Sequence, residues 1–427
     1  MAVNGLRLLA ARSSVPVFPA LGVHGEAALH RLALTPGIEL VDSPRHASVL
    51  LVAGGVPPDH FEALRRVHDQ LPKPFATLWF HSEPLPDLEN ATRIDDIEAL
   101  PDALVTLHRE LMSGQRGSSP RLLPDRPPNP WEGLGDDGHG GEGMMGGVPY
   151  GRPMAMNMND DIRDGLTLDS LTFRLGPFLP ALPPGMVVEI TLQGDLIQTW
   201  STQSTPYPQG LDPVFFATRE RPVPIAELEL ARVRHHLHRL FHGLRLAGLE
   251  AASLHALRLA RELTPNSSLD GLRRRLVHGG FFAILTAGRG VLDGEQARQL
   301  GGPVARAAGV EDDLRSRDAN YRLLGFTPLC RQGGDTRSRW EQLLAEIEQS
   351  LQLACRAARD DVPTSEAGRV ETPHGPWPGN QQPEKGRWFL DDLMPGLEWD
   401  EALACLASLD VAPVSEWPLT ERKGRRT

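Results

Sequence analysis

The sequence predicts an α/β domain with a short parallel sheet, joined by a linker to an α+β domain with a small antiparallel sheet and a helical bundle. Three observations carry this prediction: apolar runs that alternate with amphipathic helices before residue 112, a Gly-, Pro- and Met-rich segment over 113–163, and leucine-rich helical patterns after residue 225. At 427 residues the chain is long enough for each domain to bury its own core.

The N-terminal domain, over residues 1–112, is predicted from one strand–helix–strand unit. Residues 47–54 (ASVLLVAG) and 73–81 (KPFATLWFH) are apolar runs of the kind that form buried parallel strands. Between them, residues 59–71 (DHFEALRRVHDQL) have the apolar spacing of an amphipathic helix. This order of elements predicts a βαβ unit and therefore a parallel sheet.

Residues 113–163 are predicted to form a linker arm, because their glycines and prolines disfavour regular elements. Thioether sulfur is a suitable ligand for Cu(I), so the arm is also a candidate metal-binding module. Its candidate ligands are His139, Met144, Met145, Met154, Met156 and Met158. The alternative is that these methionines fill irregular apolar gaps.

The C-terminal domain, over residues 164–427, begins with alternating patterns and continues with helical ones. Residues 166–178 and 185–202 alternate with a period of two around a turn at 193–195, which predicts an antiparallel sheet. Leucine and alanine then recur at three- and four-residue steps over 225–264 and 338–360, which predicts at least three or four packed helices.

One helical pattern carries histidines at metal-ligand spacing. His238 and His242 form an HxxxH pair that could bind a divalent metal, and His235 lies on the same face. Arg232, Arg234 and Arg239 lie close by in sequence and would oppose a cation, which favours a structural role for the pair.

Composition excludes several classes of function. The net charge is −11 and no basic block precedes the C-terminal tail, so nucleic acid is not an expected partner. The apolar runs are too short to cross a bilayer, and the first twenty residues lack the apolar core of a signal peptide, so a cytoplasmic location is expected. The 3 cysteines include no CxxC pair, so this chain alone has neither a disulfide framework nor a cysteine-ligated cluster.

Residues 47–79 resemble the small iron–sulfur subunit of respiratory complex I and of the related nickel–iron hydrogenases. The segment ALRRVHDQLPKP (63–74) keeps that family's helix and turn, whereas the following strand end, WFHSEP (79–84), has no cysteine. The resemblance implies a flavodoxin-like sheet of the small-subunit type for the N-terminal domain.

The C-terminal domain resembles the large quinone-site subunit of complex I, the 49-kilodalton type, which is related to the hydrogenase large subunit. Five segments match in order: 174–198, 290–321, 334–351, 368–375 and 403–416. The resemblance implies that certain positions shape turns and internal ion pairs; these are Gly176, Pro177, Gly301, Gly302, Pro303, Asp313, Arg315, Gly334, Asp335, Glu371, Asp410 and Glu416. The chain is thus similar to a fusion of the two subunits.

The same resemblance places Leu179 and Pro184 where the family's quinone-site loop has histidines, and Tyr207 near the position of its loop tyrosine. A quinone would therefore lack the expected proton-supplying partner. A four-iron, four-sulfur cluster needs four thiolates, and residues 1–329 contain no cysteine. No iron–sulfur cluster, no nickel–iron centre and no other cofactor is expected, and a bound quinone stays possible.

Together these expectations predict a redox-silent structural and coupling subunit of a membrane-associated complex I-like assembly. The chain would occupy the position of the two catalytic subunits. The sequence favours a non-catalytic subunit that lies peripherally on the inner face of the cell membrane. Antiporter-like and other membrane subunits are the expected partners. Two alternatives stay open: a quinone-reducing subunit that receives electrons from a separate iron–sulfur partner, and a Cu(I)-binding module.

Overall fold

The computed structural model describes residues 7, 9–88, 91–124, 170–285, 287–377 and 387–416. The chain divides into two compact units. The first holds Met1–Pro180, Pro184–Thr205 and Leu390–Trp399, and the second holds Ala181–Pro183, Pro206–Phe389 and Asp400–Thr427. The division into 1–112, 113–163 and 164–427 stays a prediction, and most of the linker arm lies outside the described residues.

The first unit contains a parallel sheet of five strands in the order β2-β1-β3-β4-β5. The strands are β1 (Val15–Leu21), β2 (Ile38–Leu40), β3 (Val49–Ala53), β4 (Ala76–Phe80) and β5 (Thr92–Ile94), and the helices are α1 (Glu26–Ala33), α2 (Phe61–Gln70) and α3 (Leu100–Ser113). The predicted strand–helix–strand unit corresponds to β3, α2 and β4. The predicted parallel sheet is confirmed.

Every residue of β3 and β4 is buried because both faces of the sheet are covered. Val49 and Leu51 belong to an apolar cluster with α1 and α3, whereas Leu50 and Val52 belong to a cluster with Leu64 of α2. The continuous apolar runs in the sequence follow from this two-sided burial.

The first unit also contains an antiparallel sheet of three strands in the order β6-β7-β8. These strands are β6 (Ser170–Leu175), β7 (Val187–Gln193) and β8 (Leu196–Ser204). Gly194 lies in the predicted turn and has a φ of +62°, a value that glycine adopts without steric cost. The predicted small antiparallel sheet is confirmed.

The second unit is mainly helical, as predicted. Its main apolar core joins the long helices α5 and α12 with α6 and α7. Gly243 of α5 lies against the Trp340 ring of α12, where a Cβ atom would clash with the ring. The helices are α4 (Pro213–Ala217), α5 (Ile225–Leu246), α6 (Glu250–Arg261), α7 (Asp270–His278), α8 (Phe281–Ile284), α9 (Gly294–Leu300), α10 (Gly302–Ala307), α11 (Ala319–Leu323) and α12 (Thr336–Ala357).

Two further helices, α13 (Arg387–Leu393) and α14 (Trp399–Leu409), lie towards the C-terminus. The second unit has two pairs of short strands. β9 (Gln209–Leu211) pairs in parallel with β12 (Val414–Glu416), and β10 (Val370–Thr372) forms a hairpin with β11 (Gly375–Trp377). Within the described part of the chain, no helix is long and apolar enough to cross a membrane.

Candidate functional site

The second unit contains a network of charged side chains that is removed from solvent. Each of the seven side chains has an exposed fraction of 3% or less. They come from α5, α10, α12, β10 and the turn after α10, so the network joins elements that are distant in sequence. Its members are Glu229, Arg232, Arg306, Asp313, Arg315, Glu346 and Glu371.

Arg306 contacts three of the carboxylates. Its Nε and Nη2 atoms donate to the two carboxylate oxygens of Glu346, each over 2.7 Å. Its Nη1 atom lies 3.1 Å from an oxygen of Asp313 and 3.1 Å from an oxygen of Glu371. A planar guanidinium suits this bidentate arrangement, and such charge-assisted bonds offset part of the cost of burying the charges.

Arg315 and Tyr321 extend the network to α5. The Arg315 guanidinium donates to Asp313 over 2.8 Å and to Glu229 over 3.1 Å, and it lies over the Phe326 ring. The Tyr321 hydroxyl donates to the other oxygen of Glu229 over 2.7 Å. Burial and the Glu229 charge raise the pKa of Tyr321, so the hydroxyl stays protonated and acts as a donor.

The charges of the network do not balance. It holds four carboxyl groups and three guanidinium groups, so full ionisation would leave one uncompensated buried negative charge. Burial, and then the Asp313 charge, raise the pKa of Glu371 to about 7. Burial also acts against the Asp313 carboxylate, but Arg315 and Arg306 hold the pKa of Asp313 well below its ordinary value. The excess proton therefore belongs on Glu371.

Gly301 and Gly302 let the β10–β11 hairpin approach the start of α10. Their φ angles are +72° and +54°, and a Cβ atom on either would clash with the His374 or Pro373 carbonyl oxygen of the hairpin. Both positions thus require glycine. Pro303 follows as the second residue of α10, where a missing N–H costs nothing.

The other positions implied by the family resemblance lie at turns and helix ends. Asp335 caps α12 by accepting from the Ser338 N–H, and it also accepts from the Gly288 N–H, each over 2.7 Å. Gly334 and Gly176 have positive φ angles and lie too close to backbone carbonyls for a Cβ atom. Pro177 follows Gly176 in the loop after β6, and Glu416 is the last residue of β12.

A second polar cluster joins His235 of α5, His374 of the β10–β11 turn and Asp410, which follows α14. Asp410 Oδ2 lies 3.0 Å from His235 Nε2 and 3.4 Å from His374 Nε2. The Arg239 Nε atom lies 3.3 Å from the same oxygen. In the described part of the chain, this is the one group of three or more potential metal ligands that lie together.

The predicted HxxxH pair does not form part of that group. His238 and His242 are half-buried on α5. Burial, and then nearby His235, lower the pKa of His238 to about 3, while burial and Arg245 lower the pKa of His242 to about 4. Both rings are neutral at physiological pH, and neither has a third ligand within reach among the described residues.

The quinone-pocket residues remain a prediction. Leu179 and Pro184 are half-buried in the loop between β6 and β7. Both residues belong to the first unit. Tyr207 is buried in the second unit, where burial raises the pKa of its hydroxyl. The candidate copper ligands of the arm lie outside the described residues.

Sequence reasoning missed most partners of both clusters. Arg306, Glu346 and Glu229 were not singled out, nor was the meeting of His235 with His374. Arg306 and Glu346 are 40 residues apart and His235 and Asp410 are 175 residues apart, so no local spacing reveals these pairs. The one signal was the resemblance, which pointed to Asp313, Arg315, Glu371 and Asp410.

The fold and the buried network define the second unit as a helical domain with an apolar core and a buried network of internal ion pairs. Residues 216–385 match the protein family described as respiratory-chain NADH dehydrogenase, 49 Kd subunit. This match covers less than half of the chain, but it contains all seven members of the network. It supports the large-subunit-like character of the C-terminal part. No curated protein matches the chain.

Proposed function

We propose that the chain is a redox-silent structural and coupling subunit of a membrane-associated complex I-like assembly. One observation carries the proposal: the segment similar to the 49 Kd subunit keeps its motif residues in a buried ion-pair network, in a chain without clustered cysteines. A family scaffold that persists without redox ligands fits a role in assembly and coupling.

The cysteine content argues against resident electron-transfer centres. Iron–sulfur clusters of the small-subunit type and nickel–iron sites both need several thiolates at one place. Cys330 and Cys355 are half-buried, and Cys405 is buried with its sulfur 3.2 Å from Arg339 Nη2. The three thiols form no disulfide, and they lie in a loop, in α12 and in α14.

The N-terminal sheet supports the fusion part of the proposal. Its strand order of 2-1-3-4-5 is the order of flavodoxin-like folds, which the small-subunit resemblance also implies. In this proposal the chain occupies the position of both catalytic subunits. It lies peripherally on the inner face of the cell membrane and seats on antiporter-like membrane subunits.

Metal and sulfide analysis tests the redox-silent role. The full-length chain would be produced anaerobically together with iron–sulfur assembly proteins, and iron and acid-labile sulfide would be measured per chain. We expect the same background as in a Cys330→Ser, Cys355→Ser control, which removes the two more accessible thiols. About four irons and four sulfides per chain, the content of one cluster, would overturn the proposal.

A quinone-reduction assay tests the same role from another side. The chain would be combined with an iron–sulfur partner from its assembly and supplied with a reductant and a short-chain quinone. We expect no turnover above that of the partner alone. Turnover that depends on the chain and is lost in Tyr207→Phe would favour the quinone-reducing alternative.

A further inference from the structure

We propose that His235, His374 and Asp410 bind one divalent transition-metal ion. Their ligand atoms all lie within 4.8 Å of one another. Zinc–ligand bonds of about 2.0–2.1 Å in a tetrahedron place neighbouring ligand atoms about 3.3–3.4 Å apart. The distances from Asp410 Oδ2 to the two imidazole nitrogens, 3.0 and 3.4 Å, agree with that geometry.

The backbone around the cluster fixes all three ligands. His235 lies in the middle of the long helix α5, and His374 lies in the hairpin that packs on Gly301 and Gly302. Asp410 has a φ of +53°, a conformation that side-chain-bearing residues rarely adopt. This left-handed turn after α14 directs the carboxylate towards the two rings.

Burial favours a defined site over a loose surface contact. The exposed fractions of the His374 and Asp410 side chains are 2% and 6%, whereas that of His235 is 15%. The His235 side therefore gives an ion its route of entry. Three protein ligands leave at least one coordination position for a further ligand, as in zinc sites that keep an open position.

Arg239 is the group that opposes a cation here. Its guanidinium is buried and forms an ion pair with Asp410, and its Nη2 atom donates to the Ser408 carbonyl over 2.8 Å. Its Nε atom faces Asp410 Oδ2 over 3.3 Å, whereas its Nη1 atom has no hydrogen-bond partner in the described part of the chain. We assign the N–H groups of Nη1 to an anionic ligand, such as hydroxide or a carboxylate, that completes the metal's coordination and offsets the added charge.

The ligand set defines the class of ion. Two imidazole nitrogens and one carboxylate oxygen suit Zn²⁺, Co²⁺ or Fe²⁺ better than Ca²⁺ or Mg²⁺, which prefer oxygen ligands alone. This site lies on the residues of one unit and does not depend on the proposed function. Its occupancy is therefore measurable whether or not the chain belongs to a complex I-like assembly.

Metal titration tests the proposal. Full-length protein stripped with a chelator would be titrated with Co²⁺, followed by its visible absorption, and with Zn²⁺ by calorimetry. We expect one saturable site per chain with a tetrahedral or five-coordinate Co²⁺ spectrum. His374→Ala and Asp410→Asn should each weaken binding by more than about 100-fold, beyond the effect of losing an outer-shell partner.

His278→Ala provides the matched control, because this exposed histidine of α7 lies outside the cluster and its loss should leave affinity unchanged. Circular dichroism of each variant would show that the helices persist. Absence of a saturable site would overturn the proposal, as would binding that survives both ligand substitutions. In either case the cluster would be an ion-pair network centred on Asp410 without a metal.

Discussion

The Arg306 guanidinium contacts three buried carboxylates, so its removal would leave them without their common partner. We predict that Arg306→Met lowers the free energy of unfolding by roughly 3–5 kcal/mol, the usual cost of breaking a buried ion pair on one side. Urea unfolding followed by circular dichroism measures this change.

Arg317→Met is the control for Arg306→Met. Arg317 pairs with Asp312 at the surface, where the two side chains are 63% and 56% exposed. Its loss should change stability by less than about 1 kcal/mol. Equal effects of the two substitutions would mean that the buried network contributes no more than a surface pair.

Glu371 gives the network a pH dependence. Its pKa is raised to about 7 in the folded protein from an ordinary value of 4.5, so the folded state binds the proton more tightly than the unfolded state. Its contribution to stability is complete at low pH and is lost as the pH rises towards 7 and above. The side chain in Glu371→Gln stays neutral, so this variant does not lose stability at this position as the pH rises.

We therefore predict that Glu371→Gln gains stability relative to the natural chain as the pH rises from 5 to 8, on the order of 1–3 kcal/mol. Urea unfolding at several pH values measures the difference. Glu366→Gln, at an exposed position, is the control and should run parallel to the natural chain. A Glu371→Gln curve that also runs parallel would show that the excess proton lies elsewhere.

For single residues, the sequence indicated several members of the buried network but not the residues with which they pair. The resemblance pointed to Asp313, Arg315 and Glu371, which the structure places in the network. It did not point to Arg306 or Glu346, which are 40 residues apart and form the shortest ion pair of the network. Ion pairs between distant segments depend on the fold and leave no periodic trace in a single sequence.

Among the elements, the β10–β11 hairpin depends on glycine for its position. We predict that Gly302→Ala displaces the hairpin, because its Cβ atom would overlap the Pro373 carbonyl oxygen at a φ of +54°. Hydrogen exchange should rise in β10 and β11, and stability should fall by more than about 1 kcal/mol.

Gly248→Ala is the control for Gly302→Ala, because it introduces a similar backbone strain without a steric clash. Gly248, between α5 and α6, has a φ of +71° with no other atom within 4 Å of its would-be Cβ. The strain is similar, but nothing is displaced, so hydrogen exchange in the hairpin should not change. An increase in both variants would refute the role assigned to Gly302.

The elements that the sequence predicted are those with long patterns. β3, β4, α2 and α12 follow from apolar runs or helical spacing. β2 and β5 have three residues each and are too short for a periodic signal. The helical pattern over 225–264 continues through the break between α5 and α6, where Gly248 alone marks the boundary.

For the whole molecule, composition and resemblance predicted the α/β and helical architecture. The sequence did not indicate that the antiparallel sheet belongs to the same compact unit as the parallel sheet. Phe178, just after β6, belongs to the same apolar cluster as Trp79 of β4. Such contacts join segments about a hundred residues apart, and hydrophobic periodicity reports which face is buried but not what covers it.

At the scale of the whole molecule, we predict membrane association through partner subunits. The tagged full-length chain would be solubilised from its own membranes in mild detergent, purified by affinity and size, and its partners quantified by mass spectrometry. We predict near-equal amounts of the chain and of antiporter-like membrane subunits in one particle. Recovery of the chain as a monomer, with no membrane subunit in stoichiometric amount, would contradict the proposed role as a subunit of a complex I-like assembly.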